Sequence, residues 1–402
     1  MSNKNILFGK FWSMKEKLAE KKVNVTVANK GPSPDEIIAG IQAVQKVDYA
    51  ITGGQRTIIV AELGGATFYL KDSTDTVVAT GNTNFGFGGI VSLVAPSDGL
   101  YTVQAVVTAG GTELWTNTVE VLGAGVYEIK TGKPLNDYTE AQIAEAAQGG
   151  YAKYMWSVGD VKNTTFMGNT RQAVVVAFNH NVLAEAVGKA GITFMVDNHT
   201  ITYRHWSSND NDIGWEGSEI RTNGLKAGEY QYIIDKTVNG STTGTRYTYS
   251  DISNEWLTKT LPADYVAGTK YYNRNIIASD GAFYAGLTSF KDYVKPVLNE
   301  TADAGSNFEK IIKSKDYLFI MSECEIFGNT TRQLVRGRLD EGVQYDYFKN
   351  NYQEGKMCIG QNYWERSPNT TSATAYCYVI SNGYPSSNIA SSYYRVRPCF
   401  CL

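Results

Sequence analysis

Paired glycines cut residues 48–122 into pieces too short for any stable helix: Gly64-Gly65, Gly88-Gly89 and Gly110-Gly111, with Asp98-Gly99 between them. The pieces left over are Thr57–Ala61, Thr67–Lys71, Thr76–Thr80, Ile90–Val94, Tyr101–Val107 and Leu114–Val121, all rich in β-branched and aromatic residues. Runs of that length, bounded by turn dipeptides, predict six or seven short strands and a small β-sandwich. The composition of the whole chain points the same way, with 27 Tyr and 39 Gly against 9 Pro. The stretch holds no His or Cys and no clustered carboxylates, so it reads as a spacer.

On either side the pattern changes. In residues 1–47, Phe8, Phe11, Trp12 and Leu18 punctuate a Lys/Glu-rich stretch at helical spacing. Ser33, Pro34 and Glu36 then form a helix start before Ile37, Ile41 and Val44. That stripe is too short to stand alone. Packing on the next domain and docking or self-association both remain open. Residues 123–150 read as a linker with a short helix, Thr139 and Gln142 forming a capping box. From Tyr151 onward, apolar runs of strand length (Val174–Phe178, Gly191–Val196, Tyr317–Met321) alternate with long loops, and Phe290–Leu298 has a helix-like pattern. Asp235–Gly268, rich in Thr, Ser, Gly and Tyr, reads as a surface insertion. The expected architecture is mixed: a helical N-terminal segment (1–47), an all-β immunoglobulin-like sandwich (48–122), the linker (123–150) and an α+β C-terminal domain (151–402).

Several chemistries find little support. Lys and Arg total 37 against 40 Asp and Glu, a net charge of −3, which gives a general nucleic-acid binder no basic stripe. No run of about 18 apolar residues spans a membrane, and the first residues read as no secretory signal. His180, His199 and His205 have no metal-pair spacing and read as structural or surface residues. Asn209-Asp210-Asn211-Asp212 fails the EF-hand frame, because the twelfth position counted from Asp210 is Arg221. The five cysteines, Cys324, Cys358, Cys377, Cys399 and Cys401, include no C-x-x-C pair and read as buried free thiols. No nucleophile arrangement, cofactor loop or metal set is apparent, so neither an enzyme nor a cofactor is expected.

The informative segment is 362–402, where Asn, Tyr, Ser and Thr make up 20 of 41 residues. Trp364, Val379, Ile380, Val396 and Phe400 frame that polar run, with Arg366 and Arg397 expected to be paired or hydrogen-bonded inside it. Tyr with small polar residues is also the composition of a paratope: rigid amphipathic contact area beside adaptable hydrogen bonds. The alternative is a plain polar surface of strands and loops.

The order of pieces here resembles a known family. Trp364-Glu365-Arg366-Ser367-Pro368, then Gly383, then Arg395 to Phe400 in the form R-x-R-P-x-F is similar to the C-terminus of C-type-lectin-fold variable proteins of diversity-generating retroelements, of the major-tropism-determinant type. The nearest likeness is to the W-x-R-S-P…R-P-x-F domain of gut Firmicutes phages. Trp156–Asp160, Val176–His180, Gly214-Trp215-Glu216 with Arg221, and Leu318–Glu323 with Glu325–Gly328 resemble its upstream pieces in order. The resemblance implies a C-type-lectin-like ligand-binding domain over 151–402 with a hypervariable end at 362–402. It implies display positions at Tyr363, Glu365, Asn369, Thr370, Thr371, Thr374, Tyr376, Tyr378, Tyr384, Ser386, Ser387, Asn388, Tyr393 and Tyr394. Glu365 stands where relatives usually carry Leu. Only Ser367-Pro368-Asn369 remains of the sugar-binding lectins' calcium motif, so no metal is implied. The resemblance further implies a phage tail tip or fibre protein, located in the virion, that binds a bacterial surface receptor (protein or glycan). Its N-terminal segment would meet other tail proteins, and it would form a homo-oligomer, a trimer by analogy. A bacterial or prophage surface protein, and a polysaccharide-degrading tail enzyme, are the alternatives.

Overall fold

A computed structural model describes residues 54–83, 88–197, 204–205, 215, 218, 220–221, 227–233, 237–238, 241–242, 246–250, 255–259, 270–272, 285–302, 311–328, 341–349, 362–369, 372 and 374–402. The helical segment expected at 1–47 lies outside the described residues, as do Asn209–Asp212, His199 and Cys358.

Seven strands come first: β1 (Arg56–Glu62), β2 (Ala66–Lys71), β3 (Val77–Asn82), β4 (Gly89–Ala95), β5 (Gly99–Val107), β6 (Glu113–Val121) and β7 (Gly125–Glu128). They form two sheets, ordered β4-β1-β7 and β3-β2-β5-β6. All pairings are antiparallel except β1 with β7. Ile58 and Val60 of one sheet meet Phe68, Leu70, Val103 and Ala105 of the other in a single core. Alternate residues of β2 and β5 supply it, the period of two that a half-buried strand requires.

Beyond the sandwich run α1 (Glu140–Gln148), α2 (Ala152–Met155), β8 (Val161–Phe166), β9 (Asn169–Phe178), β10 (Ile192–Asp197), β11 (Arg204–His205) and β12 (Ala227–Ile233). Two short hairpins follow, β13 (Thr237–Val238) with β14 (Ser241–Thr242) and β15 (Arg246–Ser250) with β16 (Glu255–Lys259). Next come β17 (Lys270–Tyr272), β18 (Val297–Ala302), β19 (Ile311–Asp316), β20 (Leu318–Phe319), α3 (Glu323–Phe327) and α4 (Asp346–Lys349). The chain continues through β21 (Tyr363–Pro368), β22 (Ala375–Val379), β23 (Pro385–Ile389), β24 (Tyr393–Tyr394) and β25 (Cys399–Cys401). The main sheet is ordered β20-β25-β10-β9-β8, a second β17-β12-β19-β18, and a third β21-β22-β23.

The expectation of a mixed fold with an α+β C-terminal domain is corrected by this element list. The described residues form a β-rich fold whose four α-helices are at most nine residues long. The local reason is visible at Phe290–Leu298. Pro296 has no amide proton to donate, Lys295 N donates to Cys401 O at 2.8 Å, and Leu298 N donates to Val182 O at 2.8 Å. The backbone bonds across the fold, so only a 3-10 turn forms at Lys291–Tyr293 before β18 begins.

Candidate functional site: the β21-β22-β23 sheet and its aromatic face

The C-terminal sheet rests on a buried ionic frame. Ser322 caps α3, its Oγ accepting from Glu325 N at 3.2 Å while Glu325 Oε2 accepts from Ser322 N at 2.9 Å. Glu325 also receives Arg366 Nη1 at 2.6 Å and Nη2 at 2.8 Å, a two-pronged pair with both side chains dry. Arg366 Nη1 donates again to Ile320 O, and Arg366 N to Met321 O. Burial opposes the Arg366 charge, yet Glu325 holds the guanidinium protonated well above its ordinary value. Next to it, Ser367 Oγ donates to Glu341 Oε2 at 2.6 Å and accepts from Glu323 N at 2.9 Å. Burial raises the Glu341 carboxyl, against the hydrogen bonds from Ser367 and Ala302 N. The Arg-Ser-Pro run therefore clamps β21 onto α3.

β21 pairs with β22, and β22 with β23, with Trp364 opposite Tyr378, Tyr378 opposite Ser386, and Tyr376 opposite Asn388. The β22–β23 turn closes through Gly383, whose φ of +83° suits a residue without Cβ, and Gly383 N donates to Ile380 O. β24 returns with its backbone paired to β11, Tyr394 facing Arg204 and Tyr393 facing His205 in register. Tyr394 thereby stacks on Tyr378, centroids 4.2 Å apart, and lies 4.7 Å from the Trp364 ring. Asn388 Nδ2 donates to the Tyr394 hydroxyl at 2.7 Å. Burial raises the Tyr394 phenol above its ordinary value, with Tyr378 beside it adding to the effect and Asn388 opposing it. Tyr393 is 59% exposed, Ile389 45% and Tyr384 44%. Asn369 Nδ2 donates to Ser387 Oγ at 2.6 Å on the neighbouring strand edge. The accessible groups are the Tyr384 and Tyr393 rings and the half-buried Ser386, Ser387 and Asn388 side chains, aromatic area together with hydroxyl and amide groups.

The expected display positions divide into three groups. Tyr384 and Tyr393 are exposed, and Asn369, Thr374, Ser386, Ser387, Asn388 and Tyr394 are half-buried. Thr370 and Thr371 lie outside the described residues. Tyr363, Glu365, Tyr376 and Tyr378 are corrected from display positions to buried ones, at 2%, 0%, 0% and 9% exposure. The reason is that β21 and β22 are covered on both faces, with every residue of both strands buried. Sequence reading missed Trp364 as a member of the aromatic cluster and Ile389 as an exposed neighbour. An apolar residue inside a polar strand was the available signal for Ile389. For Trp364 the signal pointed to the core, where most of the ring does lie.

His180, half-buried, bonds through Nε2 with Val343 O at 2.8 Å and packs on Tyr345, a structural post at the end of β9. The four described cysteines are buried free thiols. Burial pushes Cys324 and Cys401 up to about 12, which leaves both as inert thiols.

Residues 229–402 match the family described as a domain of unknown function (DUF6273), a span that contains the whole C-terminal sheet and its frame. No curated protein and no solved structure matches the chain.

Proposed function

We propose that the chain is a receptor-binding adhesin of a phage tail, which engages a bacterial surface receptor through exposed Tyr384 and Tyr393 with half-buried Asn388 and Tyr394. The observation that carries this reading is the Tyr378–Tyr394 stack, held by Asn388 beside exposed Tyr384 and Tyr393. Rigid aromatic anchors give contact area at low entropic cost, and the Ser and Asn side chains around them give adaptable hydrogen bonds. The ordered resemblance to retroelement-diversified variable proteins supports the same reading. The frame under the face, Arg366 with Glu325 and Ser367 with Glu341, would stay constant while the outer positions change. The sandwich acts as a spacer, and binding rather than turnover is the activity.

The test is binding of the labelled, purified chain to a panel of bacterial cells by flow cytometry. A chain carrying Tyr384→Ala, Asn388→Ala and Tyr393→Ala is expected to lose binding to the strains that wild type labels, while melting at a similar temperature. Undiminished binding by that chain would overturn the assignment of this face.

A further inference from the structure

On the opposite side of the sheet from the aromatic stack, three donors of different chemistry meet. Glu323 opens α3, Glu365 lies in β21 and Cys377 in the middle of β22. Alternation along β22 sends Tyr376 and Tyr378 to one face and Cys377 to the other. One carboxylate oxygen from each Glu and the Cys377 sulfur lie within 4.8 Å of one another, and all three residues are buried. A point within about 2.8 Å of all three donors therefore exists, because 4.8 Å divided by √3 bounds that radius, against bonds of about 2.0–2.3 Å to zinc. Sub-ångström movements of the three side chains would bring them to bonding distance.

The geometry points to a site for one borderline-soft divalent cation, of the zinc type, ligated by Glu323, Glu365 and Cys377. The donor set selects the metal class. Calcium and magnesium take oxygen ligands in shells of six or more, whereas thiolate with carboxylate suits zinc in a four-coordinate site. The surrounding charges agree with a cation. Among the described residues, Glu323, Glu341 and Glu365 lie buried within electrostatic reach of one another. Arg366 is committed to Glu325, and Glu341 is held by Ser367 Oγ and Ala302 N. A divalent ion would take the three donors as two carboxylates and a thiolate, releasing the protons they hold as it binds. It would also tie α3, β21 and β22 together directly beneath the aromatic face. The cation site stands whatever that face binds.

The experiment is expression of the full chain in minimal medium supplemented with zinc or with cobalt, followed by metal analysis and absorption spectroscopy. Close to one metal per chain is expected, and the cobalt form should show an intense near-ultraviolet thiolate-to-cobalt band. Cys377→Ser should abolish the band, Glu365→Gln should weaken metal retention at least ~10-fold, and Cys399→Ser should leave both unchanged. Circular dichroism on each variant separates loss of metal from loss of fold. Wild type without stoichiometric metal would overturn the site, whatever the variants do, and leave two carboxyls sharing protons. A band that survives Cys377→Ser, or metal bound without the band, would overturn the donor set.

Discussion

Arg366 ties the C-terminal sheet to α3 through Glu325. Its guanidinium is fully buried, with both Nη atoms on Glu325 and one also on Ile320 O. Removing one partner of such a pair leaves a dry, uncompensated charge, at a cost of about 3–5 kcal/mol. Arg366→Ala should therefore lower the unfolding free energy measured in urea by that amount, and Arg366→Lys should recover only part, since an ammonium cannot reproduce the planar fork. Glu62 makes a second residue-scale prediction. It is buried, and Leu63 N, Trp115 Nε1 and Tyr138 OH all donate to it. Burial nevertheless raises its carboxyl above the ordinary 4.5. Below 4.5 both folded and unfolded chains hold the proton, and the contribution to stability is fully present. As pH rises through the raised folded value, the native state must give up a proton it holds more tightly than the unfolded chain does, and stability falls. Glu62→Gln lacks that loss. Its melting temperature relative to wild type should therefore climb as pH rises above 4.5, read by calorimetry from pH 4 to 8; a constant difference would contradict the assignment.

At the scale of elements, α1 is where local sequence and structure agree atom by atom. Thr139 N donates to Gln142 Oε1 at 2.9 Å and Gln142 N to Thr139 Oγ1 at 3.3 Å, the capping box that the spacing of the two residues implies. Ile143 and Ala147 face the core as the 3.6 period requires. The helix then packs against the start of β10 so closely that a Cβ on Gly191 would lie 2.1 Å from Ala147 O. That contact is backbone and cannot swing aside. Gly191→Ala should destabilise by about 1–3 kcal/mol through overpacking, seen as a lower urea midpoint with an unchanged slope. Where sequence reading failed, tertiary partners had overridden a local pattern. Tyr363-Trp364-Glu365-Arg366-Ser367 alternates like a strand with one wet face, yet both faces are covered. The side chains that bury Glu365 and Ser367 come from α3 and from Glu341, far along the chain. No window of sequence contains those partners. The Arg-Ser-Pro motif was legible as a frame, and its carboxylate partners were not. Half of the aromatic cluster was legible for a similar reason: Tyr393 follows a turn, whereas Tyr378 is covered by Trp364 and by Tyr394, which β24 brings back over it.

At the scale of the whole molecule, the order β20-β25-β10-β9-β8 places the last strand inside the main sheet rather than at its edge. Phe400 pairs in register with Phe194 on one side and Leu318 on the other. Its ring packs 5.2 Å from Phe194 and 5.1 Å from Phe290. Gly191 N reaches Leu402 O at 2.9 Å, and Leu402 N reaches Ile192 O at 3.0 Å. The principal core thus joins residues from Ala61 to Leu402. Contacts so distant in sequence bring slow, late folding, because loop closure must precede their reward. The sandwich has a core of its own, built on Phe68, Val103 and Trp115, that does not use β25. Deleting residues 399–402 should therefore uncouple the two. Ladder bonds on both sides of β25 are lost, the Phe194–Phe290 pocket is emptied, and the C-terminal sheets lose their fixed packing. The near-ultraviolet dichroism of the buried tryptophans Trp156, Trp215 and Trp364 should collapse, while a residual cooperative β-type melt remains from the sandwich. A truncated chain that melts in one transition with an intact near-ultraviolet spectrum would show that β25 is dispensable and that the core closes without it.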